Sequence, residues 1–509
     1  MEQRLRAVCD LMVPTVREMA GRHEYDGRVQ DLSPDGVRAG LAAVRRARAA
    51  ADGTVVAGSH DDAQLTVFEE ALEAQLGTLQ LHRRDPYLHL SNLELACYER
   101  AYAPAEERAI ARRRHLAAWP DAVDAAIAAL DRLSAPVAAA LLGAVRGLAA
   151  GLDPAQGPET QDALAAHARL VGHVAQAAER GEPEFALGAD ALAMLMGSQE
   201  GLPVDLGRLA ERAGAERERL RDLLAEACRA LDPVRTPAEL VPELLTDHPA
   251  PDQVVPEAAR LTEELLAFTR EHHLAPYTDG SCLVGPAPES RRWSTAMLTW
   301  AGPDEPDAPS WYHVTPPDPD WPPGTAEEWL TVFSRTTLPA ITAHEVAPGH
   351  FAHGRALRRA ATPVRRTLHS LAFCEGWAHY AEQVCLEEGF RAGDARFAAG
   401  VALEALVRVT RLSCAIGLHT GAMDVAEATR RFMTDAHLPR AGAAAEARRG
   451  TFDAGYGRYT WGKLEILALR ERTRAAAGAG FTLPRFHAAL LKLGSPPLGL
   501  LPARGLPLG

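Results

Sequence analysis

The sequence predicts a mainly α-helical protein, a large helical body with a deep cleft and a few short β-strands. Three observations carry that expectation. Apolar residues recur at the helical period through most of residues 1–250. Residues 275–325 lose that period and fill with Pro, Gly and Trp. The helical period then returns and continues to about residue 479. With 509 residues, the chain is long enough for several domains or for one large helical body.

The elements follow in order. MEQRLRAVCDLMVPTVREMA reads as an amphipathic helix with charges throughout, and it lacks the apolar core of a secretory leader. SPDGVRAGLAAVRRARAAA opens with a Ser cap before a proline. DAQLTVFEEALEAQLGTLQLH, DAVDAAIAALDRLSAPVAAALLGAVRGLAAGL and ERERLRDLLAEACRAL each carry one apolar stripe. VDLGRLAERAGAERERLRDLL reads as two helices joined at Gly214. No fixed-period repeat is present, which argues against a solenoid. The expected division is an N-terminal helical half, 1–250, and a metal-binding catalytic half, 251–509. Within the irregular segment, TAMLTW and SWYHVTP suit strands. A long irregular segment of this kind usually lines or covers a site. The tail after Phe481 reads as one short helix and a proline-rich end.

Bulk composition narrows the function. Hydrophobic content of 47% and charged content of 24% are those of a globular protein. A net charge of -13 argues against a nucleic-acid partner. No apolar run of about 18 residues exists to span a membrane. The 7 cysteines show no C-x-x-C spacing. With no secretory leader, the expectation is reduced thiols and a cytoplasmic address.

The stretch TLPAITAHEVAPGHFAHG holds the chemistry. Zinc hydrolases with H-E-x-x-H carry two histidines four residues apart, about 40° apart around a helix, with the glutamate facing the metal. Here His344 and Glu345 are present, but the second histidine position is Pro348 and the next histidine is His350. Six residues advance about 600°, which leaves His350 some 240° from His344 on an ideal helix. Pro348 removes a helical hydrogen bond and Gly349 tolerates unusual dihedrals, so an unwound or π-bulged turn over 346–349 would return His350 to the metal face. The competing reading is a chance spacing. A second stretch, LAFCEGWAHYAEQVCLEEG, puts Glu375, His379 and Glu382 on one helical face among apolar neighbours. A carboxylate there needs a partner, either a metal or simply a nearby histidine.

HEVAPGHFAH, EGWAHYAE, RLSCAIGLH, YTWGKLEILALR and FTLPRFHAALLKLGSPPLGLL resemble five successive blocks of a bacterial family, domain of unknown function 885, grouped with gluzincin-like metallopeptidases. The resemblance implies that His344, His350 and Glu375 ligate zinc (Zn2+) and that Glu345 is the general base. It also points to His419 and Tyr459 as donors to the oxyanion of a tetrahedral intermediate. Three positions depart from the family blocks: Phe351 replaces the second histidine of a doublet, Ala415 replaces an aspartate, and DAGYGRYTWG stands where a P-G-Q triplet is usual.

The function expected is zinc-dependent hydrolysis of an amide or peptide bond in a small or short extended substrate, with water at the zinc activated by Glu345. The alternatives are a metal-dependent tailoring enzyme acting on a small metabolite, and a non-catalytic binding protein. A small molecule or short peptide is the expected partner, without nucleic acid or membrane.

Overall fold

The computed structural model describes residues 2–50, 55–292 and 294–508. Among these the architecture is mainly helical, with one small three-stranded sheet. The predicted Ser33 cap is present: the Gly36 amide donates to its hydroxyl at 3.0 Å, and the helix Pro34–Ala50 follows.

The helix α1 (Leu206–Leu231) corrects the expected joint at Gly214, because it runs through that residue unbroken. Leu209, Ala213, Leu220, Leu224 and Ala227 form one buried stripe along it. A mid-helix glycine costs only about 1 kcal/mol relative to alanine. Burying each leucine contributes about 1.5–3 kcal/mol, so the stripe outweighs the glycine.

In the irregular segment β1 (Cys282–Gly285) pairs parallel to β3 (Ser310–Val314), and β2 (Ala296–Thr299) pairs antiparallel to β3. The sheet order is β1-β3-β2. The strands β2 and β3 fall within TAMLTW and SWYHVTP. Four residues are too few for β1 to show a period of its own. Tyr312 of β3 is fully buried, and its hydroxyl lies 3.2 Å from that of Thr342. That contact fastens the sheet to the next helix, α2 (Leu338–Glu345).

The remaining elements that build the site are α3 (His350–Leu357), α4 (Leu371–Glu387), α5 (Ala395–His419), α6 (Arg440–Phe452) and α7 (Arg458–Ala477). Ser370 caps α4, accepting from the Phe373 amide at 3.0 Å. The largest apolar cluster joins α1, α4, α5 and α7 through residues such as Leu220, Phe373, Trp377, Val409 and Ile466. Glycine sets one crossing. A Cβ on Gly462 of α7 would lie 1.9 Å from the Ala372 carbonyl oxygen, and one on Gly376 of α4 would lie 2.4 Å from the Gly462 carbonyl carbon. Only bare backbone approaches that closely. The crossing brings the first turn of α7, with Tyr459, against the turn of α4 that carries Glu375. No helix among the described residues is long and apolar enough to cross a membrane.

Candidate metal centre

The stretch read as one distorted helix is two helices. α2 stops at Glu345, residues 346–349 form a tight turn containing a cis Ala347–Pro348 peptide, and α3 starts at His350. Gly349 is required by close approach: a Cβ there would sit 1.9 Å from the His344 carbonyl oxygen and 2.5 Å from that of Ala343. The Trp377 indole donates to the Pro348 carbonyl at 2.9 Å, so α4 supplies a partner that the interrupted helix cannot. The interruption absorbs the angular mismatch. The rings of His344 and His350 come to 4.8 Å between centroids, with planes at 89°.

Glu375 completes the group. Its Oε2 lies 3.4 Å from His344 Nε2 and 3.3 Å from His350 Nε2, and one ligand atom from each of the three residues lies within 4.8 Å of the others. Ligand atoms around a tetrahedral ion with bonds of about 2.0–2.1 Å are spaced by about 3.3 Å, so two of the separations already suit one ion. The His344 side chain is 3% exposed and that of Glu375 21%, so the group is closed behind and open in front. Burial opposes the Glu375 charge, yet His344 and His350 hold its carboxyl well below the usual range. Burial and Arg408 push His344 down, while Glu375 and Glu382 outweigh them and lift it to about 9.

Glu382 lies behind His344. Its Oε1 is 2.7 Å from His344 Nδ1, and its other oxygen is 3.2 Å from Arg408. Burial opposes ionisation of Glu382, but Arg408, His379 and His344 keep its carboxyl below the ordinary value. This contact turns His344 so that Nε2 faces Glu375, the second-layer arrangement that orients histidine ligands in metal sites. The sequence placed Glu382 on the face of Glu375 but gave it no role. The signal was the seven-residue interval itself. His379, between them, stays out of the group; it is 1% exposed, and burial pushes it down to about 3.

Glu345 is 9% exposed and lies where its charge acts on Cys282 of β1 and Tyr312 of β3, so the sheet forms its side of the site. Tyr459 stacks near His344, with centroids 6.3 Å apart and planes at 26°. His419 does not join them. Its Nδ1 accepts from the Leu187 amide at 3.3 Å and its Nε2 donates to the Gly450 carbonyl at 2.8 Å. Both ring nitrogens are therefore committed to backbone, and burial pushes the imidazole down to about 4. The expected pairing of His419 with Tyr459 as donors is corrected on that ground, since no His419 proton is left for a ligand.

One family model, described as "Bacterial protein of unknown function (DUF885)", matches residues 14–504. The chain belongs to this family. Two solved structures share its fold. One is a "putative lipoprotein of unknown function" from Shewanella oneidensis, at 20% identity and TM-score 0.77 over 98% of this chain and 97% of that one. The other is a "putative lipoprotein" from Colwellia psychrerythraea, at 16% identity and TM-score 0.75 over 98% and 96%. No curated protein matches the sequence. The expectation of a cytoplasmic address does not stand beside these neighbours, because both carry the name of lipoproteins, a membrane-anchored class.

Two departures from the family blocks fall in packed interior. Phe351 is fully buried against Tyr312, Leu338 and Val346, and Ala415 is 1% exposed within the largest core. The third, DAGYGRYTWG, contains Tyr459 and places Asp453 between Arg449 and Arg458.

Proposed function

We propose that this DUF885 protein is a metal-dependent hydrolase of amide or peptide bonds, built on a gluzincin-like site in which His344, His350 and Glu375 hold one zinc ion. The observation that carries the reading is the convergence of two imidazole nitrogens and one carboxylate oxygen, with the Glu345 carboxylate on the residue beside His344. Three protein donors with an open side form the donor set of catalytic rather than structural zinc. A bound ion would supply Lewis acidity, polarising a carbonyl and making water more acidic near neutral pH.

The chain's own residues do the rest. Glu345 takes a proton from the attacking water and returns it to the leaving nitrogen. The Tyr459 hydroxyl donates to the oxygen on which negative charge develops. Glu382 holds the His344 ring in register, and Trp300, 6.2 Å from the His350 ring between centroids, flanks the opposite ligand.

The test is Glu345→Gln compared with wild type on a panel of short peptides, with zinc measured by elemental analysis. The expected result is about one zinc per chain in both proteins and turnover lowered about 100- to 10,000-fold in the variant. Loss of zinc in Glu345→Gln, or undiminished turnover, would overturn the assignment.

A further inference from the structure

Beside Tyr459 lies a cluster of charges with more cations than ionised carboxylates bonded to them. Arg411 of α5 grips Glu446 through two hydrogen bonds of 2.7 and 2.6 Å. Arg449 of α6 and Arg458 of α7 share a single carboxylate, that of Asp453, and its Oδ2 receives both guanidinium groups at 3.0–3.2 Å. Three guanidinium groups thus bond two carboxylates directly, and the two further carboxyls that act on them, Glu404 on Arg411 and Glu200 on Arg458, are both pushed up by burial. Asp85 acts on Asp453 as well, but burial raises its carboxyl to about 7, and Arg84 beside it offsets what charge remains. The surplus is open to solvent, since Arg449 keeps 32% of its side-chain surface and Arg458 20%.

The cluster is joined to the site. Arg449 interacts with the Tyr459 side chain, and the Arg411 guanidinium lies over the Tyr459 ring at 5.1 Å. Since that ring is 6.3 Å from the His344 ring, the Arg411 guanidinium is within about 11 Å of His344. Arg449 touches the same tyrosine and Arg458 adjoins it in the sequence, so an extended chain at about 3.3–3.6 Å per residue reaches from the ligand group to this cluster with about one to three residues. Tyr87 and Phe452, with ring centroids 6.2 Å apart, add an apolar wall, and Tyr87 is 46% exposed and within the field of Arg449 and Arg458.

We infer that Arg449 and Arg458 bind the free carboxylate of the substrate, so that the enzyme removes one to three residues from the C-terminus of a short peptide or cleaves an N-acyl amino acid. This deepens the hydrolase reading and rests on it. The reaction is hydrolysis: the water oxygen forms a bond to the acyl carbon, the C–N bond breaks, and the leaving nitrogen takes a proton. No oxidant or reductant is needed. Planar guanidinium groups suit a carboxylate because each presents paired N–H donors to its two oxygens. An amide at the same position offers one weak acceptor and no charge.

The probes are benzoyl-Gly-Phe and its C-terminal amide. Binding is measured by calorimetry on zinc-loaded Glu345→Gln protein, and turnover on wild type. The acid is expected to bind roughly 10- to 100-fold more tightly than the amide, as hydrogen bonds to a charged group imply. In a background carrying Arg449→Gln and Arg458→Gln that ratio falls toward one, while Arg449→Lys with Arg458→Lys retains part of it. Equal binding of acid and amide overturns the inference, as does failure of both to bind at millimolar concentration. A preference that persists in the folded double glutamine variant overturns it too. If that variant does not fold, the acid-to-amide ratio with the native arginines decides alone. Wild type that cleaves both probes equally sinks the carboxylate pocket and keeps the hydrolase. Selective binding of the acid without cleavage of any peptide keeps the pocket and sinks the hydrolase.

Discussion

Glu382 Oε1 lies 2.7 Å from His344 Nδ1, and this one contact decides which nitrogen of His344 meets Glu375. The pair is buried, with side-chain exposures of 3% and 0%. Glu382→Gln keeps the shape and removes the charge. Zinc affinity should fall about 10- to 100-fold, as for other groups that orient metal ligands. Competition against a chelator of known affinity reads this directly. Unchanged affinity would reduce Glu382 to a partner of Arg408.

Gly349 should tolerate no side chain. Its missing Cβ leaves room for the His344 carbonyl, which would otherwise be 1.9 Å away. Gly349→Ala must therefore shift the turn that sets His350 beside His344. Overpacking of this kind costs about 1–3 kcal/mol. Thermal unfolding should show that loss together with reduced zinc content. A variant with native stability and a full complement of metal would mean the turn can relax without moving His350.

Tyr459→Phe separates donation from packing, because the ring is retained and only the hydroxyl is lost. Turnover should fall by about 100- to 1,000-fold, the range seen when one oxyanion donor is removed. Zinc content and melting temperature should stay at wild-type values. Full activity would leave Tyr459 with no role beyond packing against His344 and Arg411.

A buried ion pair ties the N-terminal region to the segment before β3. Glu305 accepts from Arg100 at 2.7 and 2.8 Å and from the Gly302 amide at 2.7 Å, with His23 Nε2 at 3.0 Å. Burial works against its charge, but His23 and Arg100 lower its carboxyl to about 2. A depressed folded value means the stabilisation is complete above the ordinary value of 4.5 and is lost as pH falls toward 2. His23 runs the other way: burial lowers it, Asp26 and Glu305 raise it to about 9, and its contribution fades as pH rises through that value. Melting temperature should therefore drop on both limbs. Glu305→Gln, which leaves Arg100 buried without its counter-charge, should cost about 3–5 kcal/mol near neutral pH and flatten the acid limb. An unchanged acid limb would place the titrating group elsewhere.

The sequence by itself determined the helical class and marked His344, His350 and Glu375 as a candidate ligand set. Period and caps are local signals, so the Ser33 cap, the strands in TAMLTW and SWYHVTP, and the pairing of His344 with Glu345 were legible along the chain. The mismatch between His344 and His350 was legible too, because helix geometry is fixed at each step. Its resolution was not. Whether Pro348 and Gly349 bulge a helix or end it depends on the carbonyl that Trp377 reaches from α4, a residue distant in sequence. Gly214 misled for the same reason, since its modest local cost is overruled by a leucine stripe packed against other helices. His419 lay in the right block, yet Leu187 and Gly450 claim both its nitrogens through contacts no spacing rule contains. The roles of Glu382 and Asp453, and the surplus of arginine beside Tyr459, arise only where α4, α5, α6 and α7 converge. Local sequence fixes what a residue offers; tertiary packing decides which partner takes it.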